Sequence, residues 1–195
     1  MFEIRIHGRG GQGVVTAADL LALAAFDAGL HAQSFPSFGS ERSGAPVVAF
    51  CRLDEHPIRV REPIIAPDAL IVTDPTLLHQ VDLFSGVGPR GYVLINSART
   101  LEELHLQELR DRFAPDRLRT VAATDMARRH LGRPLPNAAL LGGFAALTGA
   151  VSLAAVTGAI RQRFQGETAR GNAAAAEAAF TALRGPTALV ESTHA

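Results

Sequence analysis

The first candidate site in the sequence is the glycine-rich segment HGRGGQG, residues 7–13, in which four of seven residues are glycine. It follows the alternating stretch FEIRI and precedes the apolar run VVTAADLLALAAFDAG, so it connects a predicted strand to a predicted helix. A glycine-rich turn in that position brings backbone N–H groups and a helix N-terminus close to a phosphate group. The residues of this candidate binding loop are Gly8, Arg9, Gly10, Gly11, Gln12 and Gly13.

Several roles remain open for this loop. Its glycines satisfy the dinucleotide-binding spacing G-x-G-x-x-G, but such a site also needs an acidic residue after the second strand, where the sequence has Gln33. The phosphate-binding loop of nucleoside triphosphatases is excluded, because Val14 occupies the position of its lysine. The loop therefore approaches another phosphate, contacts a neighbouring subunit, or only allows the strand and the helix to pack closely.

A second unusual loop is SFPSFGSERSGAP, residues 34–46, which places adjacent charges in an apolar, glycine-containing segment. In one interpretation Arg42 pairs with a carboxylate and stabilises the local hairpin. In the other, its forked donors face a partner subunit or an anionic substrate. The candidate residues of this loop are Ser37, Phe38, Gly39, Glu41 and Arg42.

The elements that position these loops alternate between strand and helix along the chain. Two short, continuously apolar runs, ALIVTD and YVLIN, are typical of parallel strands covered on both faces, and they end in Asp74 and Asn96. Because loops at the carboxyl ends of parallel strands form the binding crevice of such sheets, Asp74 and Asn96 are further candidate site residues. We predict the α/β class, with a single doubly wound, mostly parallel, Rossmann-like sheet and an inserted β-hairpin.

Individual segments lead to narrower expectations. The alternating run APVVAFCRLD predicts a strand, with HPIRVRE, residues 56–62, as its hairpin partner. The spacing of RTLEELHLQELRDRF, residues 99–113, predicts an amphipathic helix. The uncharged run 135–160 is long enough to cross a bilayer, but Pro136 and the Gly149–Ser152 break predict two shorter helices and no membrane span. One domain is expected over residues 1–184, followed by a C-terminal tail over 185–195.

Composition excludes several kinds of chemistry. The chain has 19 basic and 19 acidic residues, and every basic one is arginine, so no lysine is present for a Schiff base. The balanced charge disfavours nucleic-acid binding. The single cysteine, Cys51, excludes a disulfide framework and a cysteine-ligated iron–sulfur cluster within the chain, and the scattered histidines predict no metal site. The chain opens on a strand instead of a signal peptide, so we expect a cytoplasmic protein.

Taken together, the motifs resemble the γ subunit of the 2-oxoacid:acceptor (pyruvate:ferredoxin type) oxidoreductases over nearly the whole chain. The matching segments, in order, are GRGGQG, FPSFGSERSGAP, PDALIVTDPTLL, YVLINS and GRPLPNAALLGGFAALTG. The form ERSGAPV is closer to the pyruvate type than to the 2-oxoglutarate type, although Ser43 stands where the pyruvate type often has a second arginine. The substrate implied is a pyruvate-like or aryl 2-oxo acid.

The resemblance implies a multi-subunit enzyme that converts a 2-oxo acid and coenzyme A to an acyl-CoA and CO2, reducing ferredoxin or a related acceptor. Thiamine diphosphate with Mg2+ would be held by α and β subunits, and [4Fe–4S] clusters by a ferredoxin-like subunit. This chain would pack on that core, with residues 8–13 against coenzyme A or an interface and residues 37–42 at an interface or the active-site entrance. A purely structural subunit and a free-standing dinucleotide-binding reductase are the alternatives.

Overall fold

A six-stranded sheet forms the centre of the protein in the computed structural model, which describes residues 1–37, 44–114 and 116–185. The strands are β1 (Phe2–Arg9), β2 (His31–Pro36), β3 (Pro46–Asp54), β4 (Ala69–Val72), β5 (Tyr92–Asn96) and β6 (Leu118–Val121). They lie in the order β2-β3-β1-β4-β5-β6, with β1, β4, β5 and β6 parallel and β3 antiparallel to both of its neighbours. The predicted α/β class and the mostly parallel sheet are confirmed.

Helices cover the two faces of the sheet unequally. They are α1 (Val14–Asp27), α2 (Gln107–Arg110), α3 (Ala123–Leu131), α4 (Asn137–Thr148), α5 (Leu153–Arg163) and α6 (Gly166–Arg184), with a 3-10 helix at Pro75–His79. The five long helices pack on the face that carries Ile4, Ile6 and Leu94. The opposite face, around Val72 and Ile95, is covered by the 3-10 helix, α2 and the connecting turns. Both faces of the sheet are therefore covered by connecting segments, in agreement with the predicted doubly wound architecture.

The inserted hairpin has a different partner from the one predicted. Strand β3 pairs with β2 in the register Phe35↔Phe50, and on its other side with β1 in the register Arg5↔Phe50. Residues 56–62 form no strand, so their prediction as the hairpin partner was wrong. Both edges of β3 are already occupied, and the carbonyl oxygens of Val60 and Glu62 instead accept hydrogen bonds from the buried guanidinium of Arg52.

The amphipathic helix predicted over residues 99–113 is reduced to the four residues of α2 and a series of turns. Thr100 and Glu103 exchange the two hydrogen bonds of a helix-starting capping box. His105, with a φ of 57°, then adopts the left-handed conformation and ends the turn. The leucines of this segment still pack on the sheet, because the turns bring Leu104 and Leu106 to the same apolar cluster.

The uncharged run is divided into α4 and α5, as its glycine and serine predicted. Gly149 ends α4 in the left-handed conformation, and the Ser152 hydroxyl accepts a hydrogen bond from the Ala155 N–H at the start of α5. Helix α6 packs over α4, which explains why α4 is apolar all round. Among helices of the described ranges, none is long and apolar enough to cross a membrane.

Candidate functional site

The candidate site lies where the chain reverses its direction of winding. After β1 the chain passes through α1 to the β2 side of the sheet, whereas after β4 it passes to β5 on the other side. The carboxyl ends of β1 and β4 are neighbours, since His7 pairs with Val72 and the Thr73 N–H donates to the His7 carbonyl at 2.7 Å. Such a switch point leaves a crevice outside the strand ends, which is where doubly wound sheets bind ligands.

The glycine-rich loop begins inside β1 and ends at the N-terminus of α1. Gly11 and Gly13 have φ values of 90° and 75°, as expected for a loop that needs the left-handed region, and Gly13 is the N-cap residue of α1. Gly8 is needed for packing, because a Cβ there would lie 2.5 Å from Val14 Cγ2. No side chain caps α1, and its first-turn N–H groups have no intrahelical acceptors.

The carboxylate of Asp74 connects this loop to the end of β4. Its Oδ1 accepts hydrogen bonds from the Thr76 N–H at 2.9 Å and the Thr76 hydroxyl at 2.6 Å. Its Oδ2 accepts from Gln12 Nε2 at 2.7 Å and lies 3.2 Å from Arg9 Nε. Burial acts to raise the pKa of Asp74, but the hydrogen bonds from Thr76 and Gln12 and the charge of Arg9 outweigh it, and the pKa falls below its usual value.

The Arg9 side chain is held on several sides. Its guanidinium donates to Thr76 Oγ1, to Gln80 Oε1 at 2.8 Å and to the Gly44 carbonyl at 3.0 Å. The Arg9 N–H in turn donates to Gln12 Oε1 at 2.8 Å. Sequence reasoning selected Arg9, Gln12 and Asp74, and Thr76 lies in the segment 74–76 that it also marked at this strand end. It missed Gln80, whose only signal was its position a few residues after a predicted strand.

Replacing Asp74 by asparagine is expected to lower the free energy of unfolding by about 2 kcal/mol, because Arg9 and Gln12 would lose a largely buried charged acceptor. Chemical denaturation of the purified chain measures the difference. The matched control is Asp125→Asn, whose exposed pair with Arg128 is worth about 0.5 kcal/mol. Equal small losses in both variants would contradict a structural role for the Asp74 contacts.

Asn96 lies at the same edge of the sheet, but its side chain is turned into the protein. Its Nδ2 donates to the Thr73 carbonyl and to Thr124 Oγ1, both at 2.8 Å, and its Oδ1 accepts from the Thr124 N–H at 3.1 Å. Its amide therefore connects the ends of β4 and β5 to the first turn of α3. Asn96 therefore stabilises the strand ends that border the crevice, and its side chain is engaged within the protein.

The second loop, residues 34–46, contacts the glycine-rich loop through Gly44 and Ala45 near its C-terminal end. The exposed Ser37 donates its N–H to the Val48 carbonyl at 2.8 Å, while Phe38, Gly39, Glu41 and Arg42 lie outside the described residues. At the C-terminal end of this loop, the Gly10 N–H donates a hydrogen bond of 3.0 Å to the Ala45 carbonyl. Together with the bond from Arg9 to Gly44, this contact brings the end of the second loop against the glycine-rich loop.

His7 is a buried residue of this region that sequence reasoning did not select individually. Only 8% of it is exposed, and its Nε2 has no hydrogen-bond partner within the described part of the chain. Val48 and Val72 are its cross-strand neighbours. Burial, followed by the nearby charge of Arg5, lowers the pKa of His7 from 6.5 to about 4, so the ring is neutral at pH 7.

Comparison with known proteins identifies the family. The family model described as pyruvate ferredoxin/flavodoxin oxidoreductase matches residues 3–182. The chain is 48% identical to the pyruvate/ketoisovalerate oxidoreductases common subunit gamma of Thermococcus kodakarensis, over 92% of this chain and 96% of that protein. It is 44% identical to pyruvate synthase subunit PorC of Methanothermobacter marburgensis, over 94% and 98% of the two chains.

A solved structure agrees with these relatives. The crystal structure of pyruvate oxidoreductase subunit PORC from Thermotoga maritima matches the fold with a TM-score of 0.77 and 34% identity, over 92% of this chain and 94% of that one. The similarity thus extends over nearly the full length of each protein compared, and it includes both the glycine-rich loop and the helices that follow β6. The chain belongs to the pyruvate ferredoxin/flavodoxin oxidoreductase family.

Proposed function

We propose that this chain is the γ subunit of a multi-subunit 2-oxoacid:acceptor oxidoreductase that acts on a pyruvate-like 2-oxo acid. The observation that carries the proposal is the near full-length match to proteins named as γ or PorC subunits of pyruvate oxidoreductases. In the proposed reaction the 2-oxo acid and coenzyme A give an acyl-CoA and CO2, and two electrons pass to ferredoxin or a related acceptor. An aryl 2-oxo acid is the alternative substrate.

The cofactors of this reaction are assigned to partner subunits. A cluster of the [4Fe–4S] type needs four cysteine ligands, whereas this chain has one cysteine, Cys51, which is fully buried in the core beneath α1. Burial also raises the pKa of the Cys51 thiol, which keeps it protonated. Thiamine diphosphate with Mg2+ is assigned to α and β subunits, and the clusters to a ferredoxin-like subunit, so this chain contributes binding and positioning.

The contribution proposed for the glycine-rich loop is contact with coenzyme A. Gly11 is exposed, and a Cβ placed on it would meet no atom within 4 Å, so a ligand can approach the backbone closely there. The N-terminus of α1 follows directly and offers N–H groups and a positive dipole end to a pyrophosphate. Because Arg9 is occupied by Asp74, Thr76 and Gln80, this contact uses backbone groups.

Replacing Gly11 by valine is expected to raise the KM for coenzyme A about tenfold in the assembled enzyme, because the side chain would block one or two hydrogen bonds from the backbone to a phosphate. The KM for the 2-oxo acid is expected to stay unchanged. Steady-state kinetics of the complex measures both constants.

Gly29→Val is the matched control for this experiment. Gly29 is also exposed, has a φ of 85° against 90° for Gly11, and would likewise place its Cβ in open space, but it lies at the other end of α1. The local backbone strain of about 1–3 kcal/mol is therefore shared by both variants. If Gly11→Val disrupts subunit assembly and leaves the coenzyme A kinetics unchanged, the loop is a packing device and the purely structural alternative is correct.

A further inference from the structure

Strand β6 lies at the end of the sheet, so only one of its two edges is paired within the described part of the chain. Its parallel pairing with β5 uses alternate residues, since the Arg117 carbonyl accepts a hydrogen bond of 2.7 Å from the Val93 N–H. Successive peptide groups of a strand point to opposite edges. The N–H and C=O groups of Leu118 and Thr120 therefore point away from β5.

These outward-facing groups are unpaired in the structure. Within residues 1–37, 44–114 and 116–185, no backbone or side-chain hydrogen bond reaches the outer N–H and C=O groups of Leu118 and Thr120. Unpaired groups along a strand edge are a template for a further strand, and proteins commonly block such an edge with proline or lysine or cover it. Strand β6 contains neither proline nor lysine, so its edge remains suited to pairing.

A cavity of about 670 Å³ lies along this edge. Its walls are β6 and the segments 100–102 and 110–114, which belong to the crossover between β5 and β6. Leu118 lines the cavity together with Leu101 and Phe113, and all three side chains contribute to the apolar cluster on this face of the sheet. The cavity therefore suits an apolar side chain that enters beside Leu118 from a neighbouring strand.

The segment that follows the described residues starts beside the same edge. A Cβ on Gly143 would be 3.2 Å from Leu183 Cδ1 and 3.6 Å from Val121 Cγ1, so the last turn of α6 lies next to the end of β6. The described chain ends shortly afterwards, at Gly185. A chain that continues from there along the edge runs from the carboxyl end of β6 towards its amino end, and is therefore antiparallel to it.

The sequence of residues 186–195, PTALVESTHA, suits an edge strand. It contains the β-branched residues Thr187, Val190 and Thr193, which favour extended structure. Pro186 has no N–H group, and a proline is tolerated as the first residue of a strand. Ten extended residues span about 33 Å, whereas the four residues of β6 span about 13 Å, so the segment is long enough to cover the edge.

We propose that residues 186–195 occupy the unpaired edge of β6 as an antiparallel strand. In the register that matches side chains of like polarity, Thr187 is opposite Thr120 and Leu189 is opposite Leu118. Opposite residues of an antiparallel pair point to the same face, so Leu189 enters the cavity beside Leu118. These two pairs satisfy the outward-facing backbone groups of β6. The proposal does not rest on the function proposed above, because it involves neither coenzyme A nor a partner subunit.

Amide hydrogen exchange of the full chain, followed residue by residue by NMR, tests this proposal. The N–H groups of Leu118 and Thr120 are expected to exchange slowly in the full chain, and about tenfold faster or more after deletion of residues 186–195. The N–H groups of Arg119 and Val121 point to β5 and are the internal control. Their protection is expected to change little on deletion.

A point variant distinguishes the insertion of Leu189 from the loss of the whole segment. Leu189→Asn is expected to speed the exchange of Leu118 and Thr120 about tenfold, because a polar amide would replace an apolar side chain in the cavity. Ser192→Asn introduces the same amide beyond the paired residues, and it is expected to leave the exchange unchanged. Both substitutions lie outside residues 3–182, which match the family model, so the sheet itself is expected to fold normally.

Two other occupants of the edge would give different results. A second copy of this chain would protect the Leu118 and Thr120 amides in proportion to protein concentration, and this protection would persist after deletion of residues 186–195. A partner subunit would protect them only in the assembled complex. Either result, or fast exchange of both amides in the full chain, would overturn the proposal, whereas protection that is independent of concentration and lost on deletion would support it.

Discussion

Replacing Gly142 by valine is expected to lower the free energy of unfolding by about 3 kcal/mol or more, because α4 and α6 pack backbone against backbone at this residue. Gly142 is buried in α4, and a Cβ there would overlap the backbone carbonyl of Ala176 in α6. A backbone carbonyl cannot turn aside as a flexible side chain does. The two helices would have to separate, and the apolar contacts between them would be lost.

Chemical denaturation of the purified chain measures this loss. The matched control is Gly158→Val in α5, where a Cβ would meet no atom within 4 Å. That substitution is expected to change stability by less than about 0.5 kcal/mol, because valine is a slightly better helix former than glycine and has open space. Similar losses at Gly142 and Gly158 would show that α4 and α6 are not in close backbone contact.

Stability is expected to fall by about 3 kcal/mol as the pH is lowered from about 6.5 to about 4, because His7 is buried in its neutral form. Its pKa is about 4 in the folded chain and 6.5 in the unfolded chain. The unfolded chain therefore takes up a proton below pH 6.5, whereas the folded chain does so only near pH 4. The contribution is fully present above pH 6.5 and is lost as the pH falls through this window.

Denaturation curves recorded at several pH values between 4 and 8 measure the slope. In His7→Leu this part of the pH dependence should disappear, since the titrating group is gone and leucine suits the apolar neighbours Val48 and Val72. The control His56→Leu removes a histidine whose side chain is 85% exposed and should retain the slope. A parent and a His7→Leu variant with the same pH dependence would contradict the burial argument.

Local features of the fold followed from the sequence because neighbouring residues determine them. The glycines between the first strand and the first helix marked a tight turn, and Gly11 and Gly13 have the positive φ values that such a turn requires. Gly149 and Ser152 divided the uncharged run because one ends a helix and the other caps the next. The motifs around the two loops identified the family, and the single cysteine excluded an iron–sulfur cluster within this chain.

Strand pairing was decided only by the tertiary structure. The segment 56–62 has the composition of a strand, but β1 and β2 already occupy both edges of β3. The same strand order argues against the dinucleotide-binding alternative. Because β3 lies between β1 and β2, the end of β2 is two strand spacings, or about 10 Å, from β1, so an acidic residue there would lie far from the glycine-rich loop.

The contacts of the candidate site also depended on the fold. Arg9, Gln12 and Asp74 were selected from the sequence, but the hydrogen bonds from Arg9 to Thr76 and Gln80 and from Gln12 to Asp74 join residues 62 to 71 positions apart. The sequence by itself determined most of the elements, the loop and the family, because short-range sterics and hydrogen bonding specify them. The folded chain decided which groups meet and removed the strand predicted over 56–62, because these outcomes depend on free strand edges and on helix packing.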